Sequence, residues 1–213
     1  RQAKIAWDEM QKFIKIDPDL NELFKIQEYK TLIASLSTNC TIEALSKEGG
    51  LDDGFRSIFN SIDEIHQHRD NSVYKALYTG TRALPETLNS MITTRGKSKN
   101  SFCKEMDDYC VNILNRAATA EDFFVDIYTL DKDDSIFDEN VWIKANPILC
   151  QTKQGIEIQK TDAQTAKDMG GSDLIDFTVK CCNCWPQNDD RQYIKPDDWV
   201  KCGTNYKINH FMG

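Results

Sequence analysis

The sequence predicts an α/β fold: a mostly parallel sheet with flanking helices, followed by a small helical subdomain. Three observations predict it. Short runs rich in β-branched and aromatic residues alternate with helical periodicities between residues 57 and 128. That alternation stops near residue 130, where Asp131-Lys132-Asp133-Asp134 makes a solvated acidic turn and the texture becomes helical. The 213 residues are 40% hydrophobic and 28% charged, enough for one globular domain or one domain and part of another.

The elements follow in order. Residues 2–14 read as an amphipathic helix, with Ile5, Met10, Phe13 and Ile14 near one face. Asp17-Pro18 ends it, and Asp17 caps a second short helix that runs to Phe24. Residues 25–45 hold two or three short strands, read from Ile26, Tyr29, Leu32 and Ile33 and from Thr41-Ile42-Glu43-Ala44-Leu45. Residues 46–55 are a charged loop with three Gly. A strand over 57–62 leads into Asp63-Glu64. Asp70-Asn71-Ser72 caps a helix over 73–82, and a strand over 87–92 ends in Thr93-Thr94-Arg95-Gly96. Ser101 opens a longer helix with Phe102, Met106, Tyr109, Cys110, Ile113 and Leu114 inward. Residues 122–128 read as a further strand. Beyond it come a short helix over 138–145, a helical stretch over 161–182 broken at Gly170-Gly171, and a linker over 185–196.

Composition narrows the function classes. A net charge of -8 argues against a wholly basic nucleic-acid coat. Lys97 and Lys99 are a small basic pair of the kind found in solvated turns. No apolar run approaches a membrane span, and the opening residues lack a signal-peptide pattern. Eight Cys without a secretion signal read as free thiols in a reducing compartment.

Chemistry concentrates where the strand over 57–62 runs out. In an open parallel sheet, ligands bind outside the carboxyl ends of the strands. Adjacent carboxylates there suit nucleotide hydrolysis: one holds the metal that neutralises phosphates, the other orients or deprotonates the attacking water. The hydroxyls of Thr93 and Thr94, at the end of the next strand, are placed to report hydrolysis. His66 and His68, two apart, point the same way on an extended segment and offer a rival set of metal ligands with Asp63. Cys181, Cys184, Cys202 and His210 sketch a zinc site, but with the wrong spacing in its second half. No G-x-x-x-x-G-K-[ST] phosphate loop occurs in the sequence.

Taken in order, these pieces resemble the large subunit of a tailed-bacteriophage terminase, the ATP-driven motor that packages DNA. Ile62-Asp63-Glu64-Ile65-His66-Gln67-His68 resembles the family's Walker B segment, D-E-x-H-x-H. Met91-Ile92-Thr93-Thr94-Arg95-Gly96 resembles its coupling motif, with Arg95 in place of the usual small residue. Gln2-Ala3-Lys4-Ile5, Phe24-Lys25-Ile26, Ala44-Leu45-Ser46, Asp53-Gly54-Phe55, Asp122-Phe123-Phe124, Ile127-Tyr128 and Trp142-Ile143-Lys144-Ala145-Asn146-Pro147 are further landmarks, so the resemblance covers nearly the whole chain.

The resemblance implies a partial P-loop NTPase-type sheet. Residues 1–130 would be the C-terminal part of an ATPase domain, 131–185 a helical linker subdomain, and 186–213 the start of an RNase H-like nuclease domain. It implies that Asp63 binds Mg²⁺ through water, that Glu64 is the catalytic carboxylate, that Thr93 and Thr94 couple hydrolysis to DNA movement, and that His66 and His68 support them. ATP is the implied substrate. Double-stranded phage DNA, the portal protein, the small terminase subunit and further copies in a ring are the implied partners, in the cytoplasm of a bacterial host. The phosphate loop is expected upstream of residue 1 and the nuclease carboxylates after Gly213. The chain alone is therefore expected to bind ATP poorly and to leave DNA uncut. Two other readings stand beside this one: a non-catalytic interaction module left by a prophage, which the interruption at Asn60-Ser61 favours, and a His/Asp metallohydrolase.

Overall fold

The computed structural model describes residues 2–45, 56–187 and 202. The chain divides into two compact units: Arg1–Glu64 with Asp70–Ile92, and Ile65–Arg69 with Thr93–Gly213. The predicted loop over 46–55, the linker beyond 187, the nuclease start and His210 lie outside the described residues.

In the first unit, α1 (Gln2–Ile16) buries Trp7, Gln11 and Ile14, spaced i, i+4, i+7, with Met10 half-buried beside them. Ile5 and Phe13, expected inward, are 63% and 66% exposed. The large indole of Trp7 sets the buried stripe, and those two positions fall to either side of it. The Asp17 carboxylate accepts hydrogen bonds from the amides of Asp19 (2.9 Å) and Leu20 (3.1 Å), capping α2 (Pro18–Leu23) as expected. Three short strands follow: β1 (Phe24–Gln27), β2 (Leu32–Ser35) and β3 (Thr41–Glu43). They pair antiparallel in sequence order, with Ile26 opposite Ile33 and Ile33 opposite Ile42. Ile33 is wholly buried against Trp7 and Ile14.

The same unit carries a parallel pair, β4 (Phe59–Asp63) and β5 (Leu88–Ile92), in register from Phe59 opposite Leu88 to Asp63 opposite Ile92. Between them in sequence lies α3 (Ser72–Thr81). The α/β class with parallel pairing therefore holds. β4 is not the continuous apolar run of a fully buried sheet. Asn60 and Ile62 are buried while Phe59, Ser61 and Asp63 face the other way. Asn60 satisfies its buried amide across the pair, donating from Nδ2 to Asn89 Oδ1 at 2.8 Å. Ser61 lies opposite Ser90. The interruption at Asn60-Ser61 is thus a matched ladder.

The second unit opens with a single 3-10 turn, Ile65–Gln67, whose Ile65 is 2% exposed. α4 (Phe102–Leu114) is capped by Ser101, whose hydroxyl accepts from the Lys104 amide at 3.3 Å. Its buried residue is Cys103, whereas Tyr109 and Leu114, expected inward, are 41% and 52% exposed. Residues 122–128 form no strand: from Phe123 on, the segment has no regular secondary structure and no ladder partner among the described residues. Side-chain bonds take that role instead, such as Asn183 Nδ2 donating to Tyr128 O at 2.6 Å. The helix expected over 138–145 is reduced to turns and one 3-10 turn, Trp142–Lys144.

α5 (Lys153–Met169) begins well before the expected residue 161, because Thr152 caps it by accepting from the Gly155 amide at 3.0 Å. Its buried stripe is Gly155, Gln159, Ala163 and Ala166, small or polar residues that carry little apolar signal. Gly170 and Gly171, with φ of +62° and +51°, break the helix as expected. α6 (Gly171–Asp176) and a π-helical turn, Phe177–Cys181, follow. Leu130, Trp142, Ala163, Ala166, Phe177 and Cys182 form this unit's core. The Trp142 indole donates to Ile136 O at 2.8 Å and meets the Phe177 ring edge-on, centroids 6.2 Å apart.

Candidate functional site

Asp63 is the last residue of β4, and its side chain is exposed. Glu64 prolongs the ladder by one bond, its amide donating to Ile92 O at 2.8 Å. It then leaves the strand with φ of +55°, in the left-handed region that a side chain with a Cβ enters at a cost of about 1 kcal/mol or more. Its side chain is half-buried, with Oε2 shielded from solvent. The two carboxylates therefore differ in setting: Asp63 stands in water at the strand end, and Glu64 is turned off the strand into a partly dry place. Ile62, 4% exposed, anchors the strand directly before them.

The second unit gathers His66, Thr93 and Thr94. The His66 amide donates to Thr93 Oγ1 at 3.2 Å, and His66 Nδ1 lies 3.0 Å from the same oxygen and 3.5 Å from Thr94 Oγ1. Thr93 Oγ1 donates to Thr94 O at 2.8 Å. Whether Nδ1 donates to or accepts from these hydroxyls follows the imidazole tautomer. Gly96 is buried beside them: a Cβ there would sit 3.2 Å from His66 Cβ and 3.7 Å from the Trp185 ring. His68 closes the turn, its amide bonded to Ile65 O at 2.9 Å. None of the hydrogen bonds described for His68 reaches either threonine.

A further polar network that the motifs did not signal surrounds Arg95. Its Nε and Nη2 each donate to Asp107 Oδ1 at 3.2 Å, and Nη1 donates to Thr129 Oγ1 at 2.8 Å and to Asn183 O at 3.2 Å. The Arg95 amide donates to Asn183 Oδ1 at 2.7 Å. Asp107 Oδ2 accepts from the Trp185 indole at 2.6 Å. The only sequence hint was the charge of Arg95 itself, directly after the two threonines.

Two depressions lie elsewhere. One of about 170 Å³ in the second unit is lined by Asp162, Thr165, Asp176 and Lys180, among others. One of about 850 Å³ runs along α1, lined by Lys4, Trp7, Gln11 and Tyr29, among others. Neither includes Asp63 or Glu64. Asp176 is ion-paired: Lys180 at 2.7 Å and Lys97 hold its carboxyl below the usual range. Among the described residues no three His, Cys, Asp or Glu side chains converge as a metal cage. Burial holds Cys181 above the ordinary thiol range. Among the described residues no helix is long and apolar enough to cross a membrane.

A family model described as "Terminase large subunit, ATPase domain" matches residues 1–112. A second, "Terminase large subunit, endonuclease domain", matches residues 117–211. Protein YmfN of Escherichia coli (strain K12) is 30% identical over 177 residues, covering 81% of this chain and 37% of that protein. The crystal structure of the HK97 bacteriophage large terminase superposes with a TM-score of 0.72 at 22% identity, over 86% of this chain and 37% of that one. The chain thus spans a little over a third of the length of both relatives. The boundary between the two family models falls at the end of α4, whereas the first structural unit ends at Ile92.

Proposed function

Because the chain belongs to the terminase large subunit family, whose ATPase and endonuclease domains both match it, we propose that it is part of a phage DNA-packaging motor. In this reading Mg²⁺-dependent ATP hydrolysis drives double-stranded DNA into a procapsid in the host cytoplasm. The portal protein, the small terminase subunit and further copies of the chain are its partners. Residues 1–130 belong to the ATPase side, 131–185 form a helical linker subdomain, and 186–213 begin the nuclease fold.

The observation that carries the reading is the strand end. β4 and β5 are parallel and in register, they finish level at Asp63 and Ile92, and the next residues are Glu64 on one strand and Thr93-Thr94 on the other. An exposed carboxylate suits a magnesium ion that keeps most of its water, since this ion sheds hydration reluctantly. Asp63 would hold such an ion through water, and the ion would neutralise phosphate charge. Glu64, turned off the strand and partly shielded, has a carboxylate suited to orienting a water and accepting its proton. Groups beyond these residues would hold the phosphates. The His66 bonds to Thr93 and Thr94 give the threonines a fixed orientation after β5, as a coupling segment needs.

The test is ATP turnover by the large subunit carrying these residues. Glu64→Gln, which keeps size and removes the base, is expected to lower kcat at least about a hundredfold with KM little changed. Asp63→Asn is expected to raise the Mg²⁺ concentration needed for half-maximal rate. Turnover that survives Glu64→Gln refutes the assignment.

A further inference from the structure

We propose that Arg95 is a positioning residue that fastens the threonine pair to residues 183–185, so that movement of one is passed to the other; this rests on the coupling reading of Thr93 and Thr94. The observation is a two-point grasp. Arg95 holds Asn183 through its main chain, N–H to Oδ1 at 2.7 Å, and through its side chain, Nη1 to the Asn183 carbonyl at 3.2 Å. Asn183 is itself fixed: its φ is +48°, its Nδ2 donates to Tyr128 O, and its carbonyl also accepts from Thr129 Oγ1 at 2.8 Å.

Asp107 joins the two ends a second time. One carboxylate oxygen takes the guanidinium and the other takes the Trp185 indole. Trp185 and His66 crowd the same position at Gly96, where a Cβ would meet both, and His66 is bonded to both threonines. The chain of contacts therefore runs Thr93 and Thr94, His66, Gly96, Trp185, Asp107, Arg95, Asn183, within one compact unit.

Two features argue for transmission over mere cohesion. The Arg95 and Asp107 side chains are only 15% and 13% exposed, so their bonds are little screened. Each link is also directional. A shift of about 1 Å at Arg95 would take several donors past hydrogen-bond reach together, so the unit would change as a block and not by degrees. A small residue at position 95 would leave Asp107 with Trp185 alone, and would leave Asn183 tied to residue 95 by the main-chain bond alone.

The experiment compares basal ATP hydrolysis with hydrolysis in the presence of double-stranded DNA, using the large subunit carrying these residues. Arg95→Lys keeps a cation opposite Asp107 but lacks the planar fork, so it cannot reach all three acceptors. It is expected to leave basal kcat within about twofold and to cut the DNA-stimulated increment at least about fivefold, a split that loss of folded protein would not produce. Arg95→Ala is expected to do the same more strongly, and the Trp185 indole proton resonance should shift in both variants. Equal scaling of basal and stimulated rates, or an unchanged increment, overturns the proposal. Hydrolysis that persists in Glu64→Gln would instead overturn the reading on which it rests.

Discussion

Removing the Asp107 carboxylate should expose how much the second unit depends on one buried ion pair. Asp107→Ala leaves the Arg95 guanidinium, 15% exposed, without a counter-charge and the Trp185 indole without its acceptor. Taking one partner from a fully buried pair costs about 3–5 kcal/mol, because the remaining charge stays desolvated. The residual exposure, with Thr129 and the Asn183 carbonyl still accepting from Arg95, places this case at the lower end, about 3 kcal/mol. Asp107→Asn should cost nearly as much. An amide offers one oxygen, so its NH₂ must face either the guanidinium or the indole N–H, donor against donor. The neighbouring Asp108→Ala is the contrast. Asp108 is 59% exposed and paired with Lys104 one turn away, so its loss should cost under about 0.5 kcal/mol. Native-state hydrogen exchange of the α4 amides reads the difference: about a hundredfold faster exchange in Asp107→Ala, and less than about threefold in Asp108→Ala. Exchange in Asp107→Ala within about fivefold of wild type would refute the reasoning.

Three further outcomes follow from the packing. Trp142→Ala should cost about 3–5 kcal/mol, whereas Trp142→Phe, which keeps much of the edge contact with Phe177 but loses the bond to Ile136 O, should cost about 1–2; chemical denaturation checks the ratio. Gly155→Ala should lower stability by about 1–3 kcal/mol in thermal melts, since the added Cβ would lie 2.1 Å from Leu149 O, a backbone atom that cannot simply rotate away. Burial raises Cys103 from 9.0 to about 11 and Cys182 to about 12. The folded state thus keeps protons that the unfolded chain releases, so their contribution is intact below pH 9 and is lost as pH climbs toward 11 and 12. The urea midpoint should fall over that range, and less steeply in Cys182→Ala.

Much of this was legible in the chain because local chemistry decided it. Asp17 before Pro18 and Ser101 before an apolar helix are caps whose mechanism needs no tertiary partner, and both formed as read. The strands around Ile26, Ile33 and Ile42 and the break at Gly170-Gly171 were readable for the same reason, and the parallel pair was readable from the helix lying between its two strands in sequence. What failed was decided at a distance. Residues 122–128 have strand composition but no strand to pair with among the described residues, and Asn183 takes the Tyr128 carbonyl instead. The start of α5 was hidden because a buried face of Gly155, Gln159, Ala163 and Ala166 shows no hydrophobic period. Of the candidate site, the carboxylates and threonines were singled out by position and motif. The partners of Arg95 lie 12, 34 and 88 residues away along the chain, a separation no local pattern encodes.

The amide pair between Asn60 and Asn89 has a consequence for how the strand ends are presented. A parallel ribbon of aliphatic residues tolerates sliding, because one methyl group greets another equally well. A buried carboxamide facing a half-buried one does not, since the bond between them forms in a single alignment and is lost in its neighbours. That one keyed contact, three residues behind Asp63, acts as a vernier that brings both strand termini to the same level. Replacing either amide alone should unsettle the acidic tip at a distance, and replacing both with matched aliphatics should restore stability while letting the tip lose its fixed height.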